Sequence, residues 1–404
     1  MVQGTAHLVV DLGNSSTKGM VMFGRDAQTG KYRERKFELS NVFAPIDEGY
    51  AVSSDYNEMT STIIRVDTEL NGRVIKGDFC NGELQQKEKP MTTIKPTASV
   101  KKYDLDSTVL SYRLAFLFAY KAIMNMTRTS DFNQLDVEWC VTTLLPPGDM
   151  ETGKNKITDI IKNITEVNAV FPNVRIPVKV SKVAVFPEGF SAFCGVVFDK
   201  GQIYRPDYKF LTEETVLVFD VGAGTTDCLI VKNNTLVQSS KFSIQQGGNN
   251  VFQIVKRMLR FEGLEIDDDS LRRGMITGEV KDGAKLVNIV DYINRAKAEI
   301  AQKIISSFQD FLEVTDLKAR SVGHVIVCGG GSMSGSEVMG IEPLSKKIVD
   351  FFKELSPNSE MVALPTHIVT KTLEDGTPAK VTETISPREL NLIGASYLAE
   401  AVWG

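Results

Sequence analysis

Two copies of one short pattern stand far apart in this 404-residue chain, and they constrain its fold more than any other feature. In each copy an apolar run ends in Asp-x-Gly, a turn of small polar residues follows, and a second apolar run resumes. The copies lie at residues 9–18 and 218–227. Apolar runs joined by a short polar turn are typical of β-hairpins. Two hairpins of one design predict two lobes of one design.

The turn of each hairpin suits a phosphate chain. Gly13 in the first copy and Gly222 and Gly224 in the second lack a Cβ, so backbone N–H groups can approach phosphate oxygens closely. Hydroxyl side chains in both turns add hydrogen-bond donors, and Lys18 adds a positive charge. A single Asp-x-Gly turn is usually only a turn, but two matched copies favour phosphate binding.

The aspartates at the two strand ends, Asp11 and Asp220, suit a magnesium ion. Mg²⁺ keeps several waters and takes few direct carboxylate ligands, so two such residues can hold a hydrated ion. Neither hairpin is a P-loop of the Walker type, because no G-x-x-x-x-G-K-[ST] string occurs in the sequence.

Outside the hairpins, strand patterns alternate with helix patterns. This predicts an α/β protein with largely parallel central sheets. Helices are predicted over residues 105–126, 153–163, 251–259 and 287–312, and strands over residues 137–145, 174–185 and 325–328. The segment from about residue 37 to 102 is strand-poor in pattern and rich in turn residues, which predicts an inserted subdomain.

Composition and charge exclude several other classes of protein. Apolar residues make up 42% and charged residues 24%, as in globular proteins generally. The formal net charge of −5 provides no electrostatic footprint for broad nucleic-acid binding. Five cysteines without C-x-x-C spacing and three histidines argue for a reducing compartment and against structural zinc. No apolar run reaches the roughly 20 residues of a membrane span, so we expect a cytoplasmic protein without membrane contact.

Five motifs resemble those of the superfamily that contains actin, the heat-shock chaperones and the sugar kinases. Residues 11–18 resemble its first phosphate motif and residues 220–227 its second. Residues 186–192 resemble the first connecting helix, residues 327–332 the adenosine motif, and residues 391–395 the second connecting segment. All five occur in the order of the family.

The resemblance implies an α/β actin-like fold, with two duplicated ribonuclease-H-like lobes around a nucleotide cleft. Lobe I would comprise residues 1–205, with the insertion at about 37–102, and would be completed by a C-terminal helix at 386–404. Lobe II would comprise residues 206–385, with an inserted helical subdomain at about 262–320.

The resemblance also implies ATP, with GTP possible, and Mg²⁺ as ligands. Nucleotide contacts are carried over to Asp11, Gly13, Asn14, Ser15, Lys18, Gly222, Gly224, Thr225, Thr226, Gly247, Lys297, Gly329, Gly330, Gly331 and Ser332. Asp11 and Asp220 would face the metal, and Glu188 and Asp220 would be catalytic, with Glu188 orienting the attacking water. Alternatives stay open at three positions: an exposed helix-terminal acid at Glu188, a plain turn at Gly247, and a solvated helix face at Lys297.

Among members of the superfamily, the pattern most resembles the plasmid-segregation actins of the ParM type. That resemblance implies self-association into ATP-dependent filaments and a DNA-binding adaptor, with no direct contact to nucleic acid. The segment 200–214 is predicted to be an extension and is a candidate filament contact. A non-polymerising ATPase switch and a small-molecule phosphotransferase remain the alternatives. A chaperone is not expected, since no long peptide-binding region follows residues 391–395.

Overall fold

A computed structural model describes residues 1–13, 16–46, 61–70, 72–82, 93–94, 100–170, 173–315, 317–332, 335–336, 338–372 and 378–403. The chain divides into two compact units. The first comprises Met1–Pro187, Lys200–Gln202 and Ala395–Gly404, and the second comprises Glu188–Asp199 and Ile203–Gly394. Both units mix helices with sheets, as the predicted α/β class requires.

Ten strands and two helices build most of the described part of the first unit. The strands are β1 (Val2–Leu12), β2 (Ser16–Arg25), β3 (Tyr32–Ser40), β4 (Phe43–Ile46), β5 (Ser61–Leu70), β6 (Arg73–Gly82), β7 (Leu135–Leu145), β8 (Glu166–Ala169), β9 (Val174–Pro177) and β10 (Lys179–Pro187). The helices are α1 (Asp106–Thr127) and α2 (Met150–Lys162).

The central sheet of the first unit has the order β10-β7-β1-β2-β3. β1 and β2 form the predicted hairpin and are antiparallel, whereas β7 runs parallel to both β1 and β10. The sheet is therefore mixed rather than largely parallel. Apolar side chains of β1 and α1 are almost entirely buried together, as at Leu8, Val10 and Phe116, and burial of apolar surface is the main stabilising term for such a core.

The prediction of a strand-poor segment at residues 37–102 is wrong. The end of β3 lies there, and so do β4, β5 and β6, which belong to a second sheet of order β4-β6-β5-β8-β9. On β5, Ile64 and Val66 point into the core while Arg65 lies on the outer face, where it pairs with Asp78 at 2.7 Å. Charged residues at alternate positions conceal β5 from a search for continuous apolar runs.

The second unit contains the remaining elements. They are α3 (Phe190–Val197), β11 (Phe198–Asp199), β12 (Ile203–Tyr204), β13 (Thr215–Val221), β14 (Thr226–Lys232), β15 (Thr235–Leu236), β16 (Phe242–Ile244), α4 (Gly248–Phe261), α5 (Asp268–Thr277), β17 (Glu279–Asp282), β18 (Lys285–Asn288), α6 (Val290–Glu313), β19 (His324–Cys328), α7 (Leu344–Leu355), β20 (Glu360–Met361), β21 (Thr366–Thr372), β22 (Pro378–Thr384) and the start of α8 (Leu390–Trp403).

The main sheet of the second unit has the order β15-β14-β13-β19-β20, with β16 also paired to β14. β13 and β14 form the second predicted hairpin, and β19 runs parallel to β13. Helices α6 and α7 cover this sheet through aromatic side chains. The ring of Phe219 lies 5.5 Å from that of Phe308 and 6.2 Å from that of Phe352. In the described part of the chain, no helix combines the length and apolar character needed to cross a bilayer.

Helix α8 begins at Leu390, four residues later than its predicted start at Ser386, after a turn in which the Arg388 N–H donates to Ser386 Oγ at 3.3 Å. Its first turn belongs to the second unit and packs on α3 backbone to backbone. A Cβ on Gly394 would lie 1.6 Å from the Ser191 carbonyl oxygen, and one on Gly195 would lie 2.7 Å from the Leu390 carbonyl oxygen. The two helices can approach this closely only because both positions are glycine.

We predict that Gly394→Ala destabilises the protein strongly. The added methyl would overlap the Ser191 carbonyl, and overpacking of this kind costs about 1–3 kcal/mol or more. The unfolding midpoint in urea should fall, whereas Gly323→Ala should change it little, because a Cβ there would meet only Glu214 Oε2 at 3.5 Å. Equal midpoints for Gly394→Ala and wild type would contradict this account of the crossing.

Candidate functional site

The first hairpin places a carboxylate and an ammonium group side by side at its turn. Asp11 lies opposite Lys18 in the β1–β2 register, and Lys18 Nζ is 3.2 Å from Asp11 Oδ2. The Gly13 N–H closes the turn by donating to the Ser16 carbonyl at 3.0 Å. Asn14 and Ser15, both predicted phosphate contacts, lie outside the described residues. Asp11, Gly13 and Lys18 thus lie together, and their contact with nucleotide stays a prediction.

A buried amide that the sequence analysis missed supports this turn. Asn41 Nδ2 donates to the Gly13 carbonyl, and Asn41 Oδ1 accepts hydrogen bonds from Thr17 Oγ1 and, at 3.0 Å, from Ser111 Oγ. Asn41 and Thr17 are both buried. Asn41 follows β3 inside the segment that was taken for an insertion, and no local pattern marks it, because its partners are distant in sequence. It binds Gly13 on one side of the turn and Thr17 on the other.

The second hairpin repeats the backbone geometry of the first, but an aspartate stands where the first hairpin has a lysine. The Gly222 N–H donates to the Thr225 carbonyl at 2.8 Å, as Gly13 does to Ser16. The residue opposite Asp220 is Asp227, where the first hairpin has a lysine. Both aspartates are buried, and Asp227 accepts a hydrogen bond from Ser243 Oγ.

The negative charge of this pair affects the pKa of the neighbouring Cys228. Burial raises the pKa of the Cys228 thiol well above its ordinary value, and the charges of Asp227 and Asp220 raise it further. Two carboxylates facing each other at a strand end suit a cation more than an anion. The second hairpin therefore combines an anion-binding type of turn with a cation-binding pair of side chains.

The tip of the second hairpin is held by the start of α4. The N–H groups of Gly248 and Asn249 donate to the carbonyls of Gly222 and Ala223, at 3.0 and 2.7 Å. Within the described residues, the N–H groups of Ala223 and Gly224 donate to no protein acceptor, and both residues are partly exposed. Such N–H groups in a tight turn are suited to an anionic oxygen. Gly224 therefore retains the geometry expected of a phosphate contact.

The remaining predicted residues of this turn have protein partners. Thr226 is fully buried, and its Oγ1 donates to the Gln246 carbonyl at 2.8 Å, while the Thr225 carbonyl closes the turn. Gly247 packs on the tip, because a Cβ there would lie 2.7 Å from the Gly222 carbonyl oxygen. These contacts explain the residue types structurally, and nucleotide contacts of Thr225, Thr226 and Gly247 stay predictions.

The glycine run after β19 packs directly on the same hairpin. A Cβ on Gly329 would lie 2.4 Å from Asp220 Oδ1, and one on Gly331 would lie 2.3 Å from the Gly222 carbonyl oxygen. Gly329 also has φ +85°, a conformation that favours glycine. Gly330 is exposed, and Ser332 is buried, with its Oγ donating to the Gly329 carbonyl at 2.7 Å. Only Gly330 is thus open to a ligand without being required for packing on the hairpin.

Glu188 is buried, with 7% of the residue exposed, which removes the alternative of an exposed helix-terminal acid. The next residue, Gly189, has φ +75°, and a Cβ there would lie 2.9 Å from Leu229 Cδ2 on β14. Glu188 is therefore held at the start of α3, against the hairpin that carries Asp220.

Asn391 connects these two acidic residues. Its Oδ1 accepts the N–H of Gly189 at 3.0 Å, and its Nδ2 donates to Asp220 Oδ2. Asn391 was placed in the second connecting segment from the sequence but was given no role in the site. Its two hydrogen bonds form only because the second unit brings together β13, the start of α3 and the first turn of α8.

Lys297 lies on α6 in a different environment from the solvated face left open by the sequence. The residue is fully buried, and its Nζ donates to the Glu342 carbonyl at 2.7 Å. Asn294 binds the same loop, donating to the Gly340 carbonyl at 2.9 Å. Burial lowers the pKa of Lys297 to about 8, against a smaller raising effect of the Glu342 charge. Lys297 therefore stabilises the loop after the glycine run, and its contact with nucleotide stays a prediction.

Within the described residues, no three His, Cys, Asp or Glu side chains converge to hold a metal ion. Single carboxylates at the hairpins fit an ion that takes most of its ligands from water and phosphate, which is the habit of Mg²⁺. They do not fit a metal held by protein ligands alone.

We predict that Lys297 makes stability depend on alkaline pH. Its pKa is about 8 in the folded chain and 10.5 ordinarily, so the unfolded state binds more protons between these values. The contribution of Lys297 to the free energy of unfolding should therefore rise across that window, by at most about 1.4 kcal/mol per pH unit. In urea unfolding from pH 7.5 to 10, the free energy of wild type should rise relative to that of Lys297→Met, because the buried thiols of Cys194 and Cys228, whose pKa values are also shifted, act equally in both.

The matched control is Lys303→Met, which removes a half-exposed lysine from the same helix. It should keep the pH dependence of wild type. Parallel curves for wild type and Lys297→Met would contradict the assignment of a shifted lysine at this position.

Comparison with known sequences finds a similarity to one protein family within the second unit. Residues 218–338 match the family model described as archaeal actin homologue MreB-like, C-terminal. This stretch runs from the second hairpin through the glycine run. No curated protein sequence matches the chain.

Comparison with solved structures covers nearly the whole chain. Actin-like protein Alp7A has a TM-score of 0.64 and 16% identity, over 99% of this chain and 97% of that chain. ParM in a 15-stranded filament from Clostridium botulinum has a TM-score of 0.60 and 14% identity, over 99% of both chains. Bacillus thuringiensis ParM with ATP has a TM-score of 0.56 and 15% identity, over 98% of this chain and 99% of that chain. The chain therefore has the actin-like fold and resembles the ParM-type proteins that share it.

Proposed function

We propose that this chain is an ATPase whose two hairpins each bind phosphate oxygens of a nucleoside triphosphate. The observation that carries the proposal is the tip of the second hairpin, where the N–H groups of Ala223 and Gly224 lack protein acceptors within the described residues, beside the buried carboxylate of Asp220. The ATP bound to a ParM of the same fold supports the choice of nucleotide. GTP remains the second candidate nucleotide.

Mg²⁺ would be held near Asp11 and Asp220 through its waters, and when bound it would neutralise charge on the phosphates. Lys18 provides a positive charge at the first hairpin, although its ammonium group already pairs with Asp11. Glu188 is buried beside the hairpin and would orient the attacking water through its carboxylate. Positioning and electrostatics supply most of the catalysis of phosphoryl transfer, so a held carboxylate is a suitable catalytic part.

We predict that Glu188→Gln separates binding from turnover. Glutamine keeps the size of the side chain but cannot accept a proton or orient water through a charge, so phosphate release should fall by about 10²-fold or more. Binding of a fluorescent ATP analogue should change little. The control Glu262→Gln alters an exposed acid at the end of α4 and should leave turnover intact. Unchanged turnover in Glu188→Gln would make Glu188 a structural residue.

We further propose that the protein polymerises with ATP. Two exposed apolar patches on the second unit support this. The first patch is Ile276, Val338 and Met339, of which Val338 is 95% exposed. The second patch is Ile203 and Phe210 in the segment 200–214, where Phe210 packs on His324 at the start of β19. Exposed apolar clusters commonly mark protein–protein contacts.

The two patches lie on different elements of the second unit. Met339 lies beside Gly278, because a Cβ on Gly278 would be 3.4 Å from Met339 Cε, whereas Phe210 packs on His324 at the start of β19. Contacts between two different surfaces build an open filament when the rotation between subunits does not close a ring. The ParM filament of the same fold supports an open assembly.

We predict that Val338→Lys weakens filament formation without lowering ATP turnover per subunit. A charge in an apolar contact is costly to bury, so sedimentation with ATP should need at least about tenfold more protein. Val314→Lys, at another highly exposed valine of this unit, should pellet as wild type does.

Sedimentation of wild type with ATP, with ADP and without nucleotide distinguishes the assembly classes. Absence of ATP-dependent pelleting would reject the filament and favour an ATPase switch or a phosphotransferase. Pelleting of Val338→Lys at the wild-type concentration would reject the first patch as a contact. The further role in plasmid segregation through a DNA-binding adaptor is supported by likeness to ParM, and it requires the filament first.

A further inference from the structure

We infer that Asn391 is a positioning residue that holds the Asp220 carboxylate in a fixed relation to the Glu188–Gly189 turn. The inference rests on the ATPase function proposed above and deepens it. Asn391 lies in the first turn of α8, and it is buried, with 6% of the residue exposed. It touches no predicted phosphate-binding turn directly, so its effect would pass through Asp220 and Gly189.

The partners of Asn391 determine how its amide is oriented. Asp220 can only accept a hydrogen bond as a carboxylate, so it faces the NH₂ group. The Gly189 N–H can only donate, so it faces the amide oxygen at 3.0 Å. The site therefore requires a neutral side chain that donates to one partner and accepts from the other. Asparagine has both groups on a side chain of the right length. Loss of either bond would leave a buried polar group unsatisfied, which is costly.

The Asp220 carboxylate is restrained at Oδ2, which accepts the hydrogen bond of Asn391. Oδ1 lies where a Cβ on Gly329 would approach to 2.4 Å, so only glycine at position 329 leaves room for the carboxylate in this orientation. The carboxylate is therefore oriented before any ligand arrives, and a preorganised charge needs no rearrangement during reaction.

The approach of α8 to α3 places Asn391 within reach of both partners. Gly394 and Gly195 allow the backbones of the two helices to touch, as described above. Asn391 is three residues before Gly394, in the same turn. The close crossing and the two hydrogen bonds thus form one arrangement, which ties the acid at the start of α3 to the acid at the end of β13.

Asn391→Asp tests the two hydrogen bonds through the pH dependence of stability, measured by urea unfolding without nucleotide or Mg²⁺. When the introduced carboxyl is protonated, its O–H donates to Asp220 and its other oxygen accepts from Gly189, which reproduces the wild-type contacts. When the introduced carboxyl ionises, two carboxylates meet in a buried place and repel each other. The pair therefore titrates with a raised apparent pKa. The ionisable groups around the pair are Asp220 on β13, Asp227 on β14, Cys228 and Cys328 beside them, Glu188 before α3, and Arg388 and Glu389 before α8.

We expect kcat for ATP to fall at least about tenfold in Asn391→Leu, because the Asp220 carboxylate loses the hydrogen bond that orients it. KM should stay within about threefold of wild type, because the first hairpin and the tip amides are unchanged. Asn358→Leu, at an exposed residue of the same unit, should keep the kcat of wild type. In urea unfolding, Asn358→Asp adds the same charge as Asn391→Asp and should follow wild type across pH.

The result that overturns the inference is a kcat of Asn391→Leu equal to that of wild type. If wild type hydrolyses no ATP, the proposed function itself fails, and urea unfolding then decides on the contact. A carboxyl whose pKa is raised by folding stabilises at low pH and loses that contribution as pH rises. The unfolding midpoint of Asn391→Asp should therefore fall relative to wild type between pH 5 and 8.5. An unchanged difference across this range would reject the hydrogen bond as well.

Discussion

Backbone packing at the tip of the second hairpin is the constraint on which the second unit depends. Three glycine-containing segments meet there: the tip itself, the start of α4 and the run after β19. The separations are below what a Cβ would allow at Gly247, Gly329 and Gly331. Because main chain meets main chain, the positions of the tip carbonyls and of Asp220 follow from the packing of whole elements rather than from side-chain rotamers.

The two hairpins share a backbone and differ in charge. Asp11 faces Lys18, whereas Asp220 faces Asp227. The first is a nearly neutral pair at a turn held by Asn41, and the second is an acidic pair held by Ser243 and Asn391. The duplicated hairpins therefore share a turn geometry but carry a lysine–aspartate pair in the first unit and a pair of aspartates in the second.

Buried amides have the same role in both units. Asn41 binds the Gly13 carbonyl and the Thr17 hydroxyl, and Asn391 binds Asp220 and the Gly189 N–H. Each joins segments that are distant in the chain, and each satisfies both a donor and an acceptor. Neither stands in a local pattern that reveals its role, so both were missed among the predicted site residues. Lys297 shows the converse: its type and motif were visible in the sequence, but its hydrogen bond to the loop after the glycine run was not.

The sequence by itself determined the duplicated hairpins and the α/β class, because apolar period and Asp-x-Gly turns are local properties that survive in one dimension; the actin-like fold was implied by the resemblance of five motifs. The sequence analysis missed β4, β5 and β6, and on β5 alternating charges on the outer face conceal the apolar face. Tertiary structure alone decided that Glu188 is buried and that Gly247, Gly329 and Gly331 are needed for packing. It also decided that Asn391 reaches Asp220. These facts depend on distances between residues far apart in the chain, and only the packing of complete elements sets such distances.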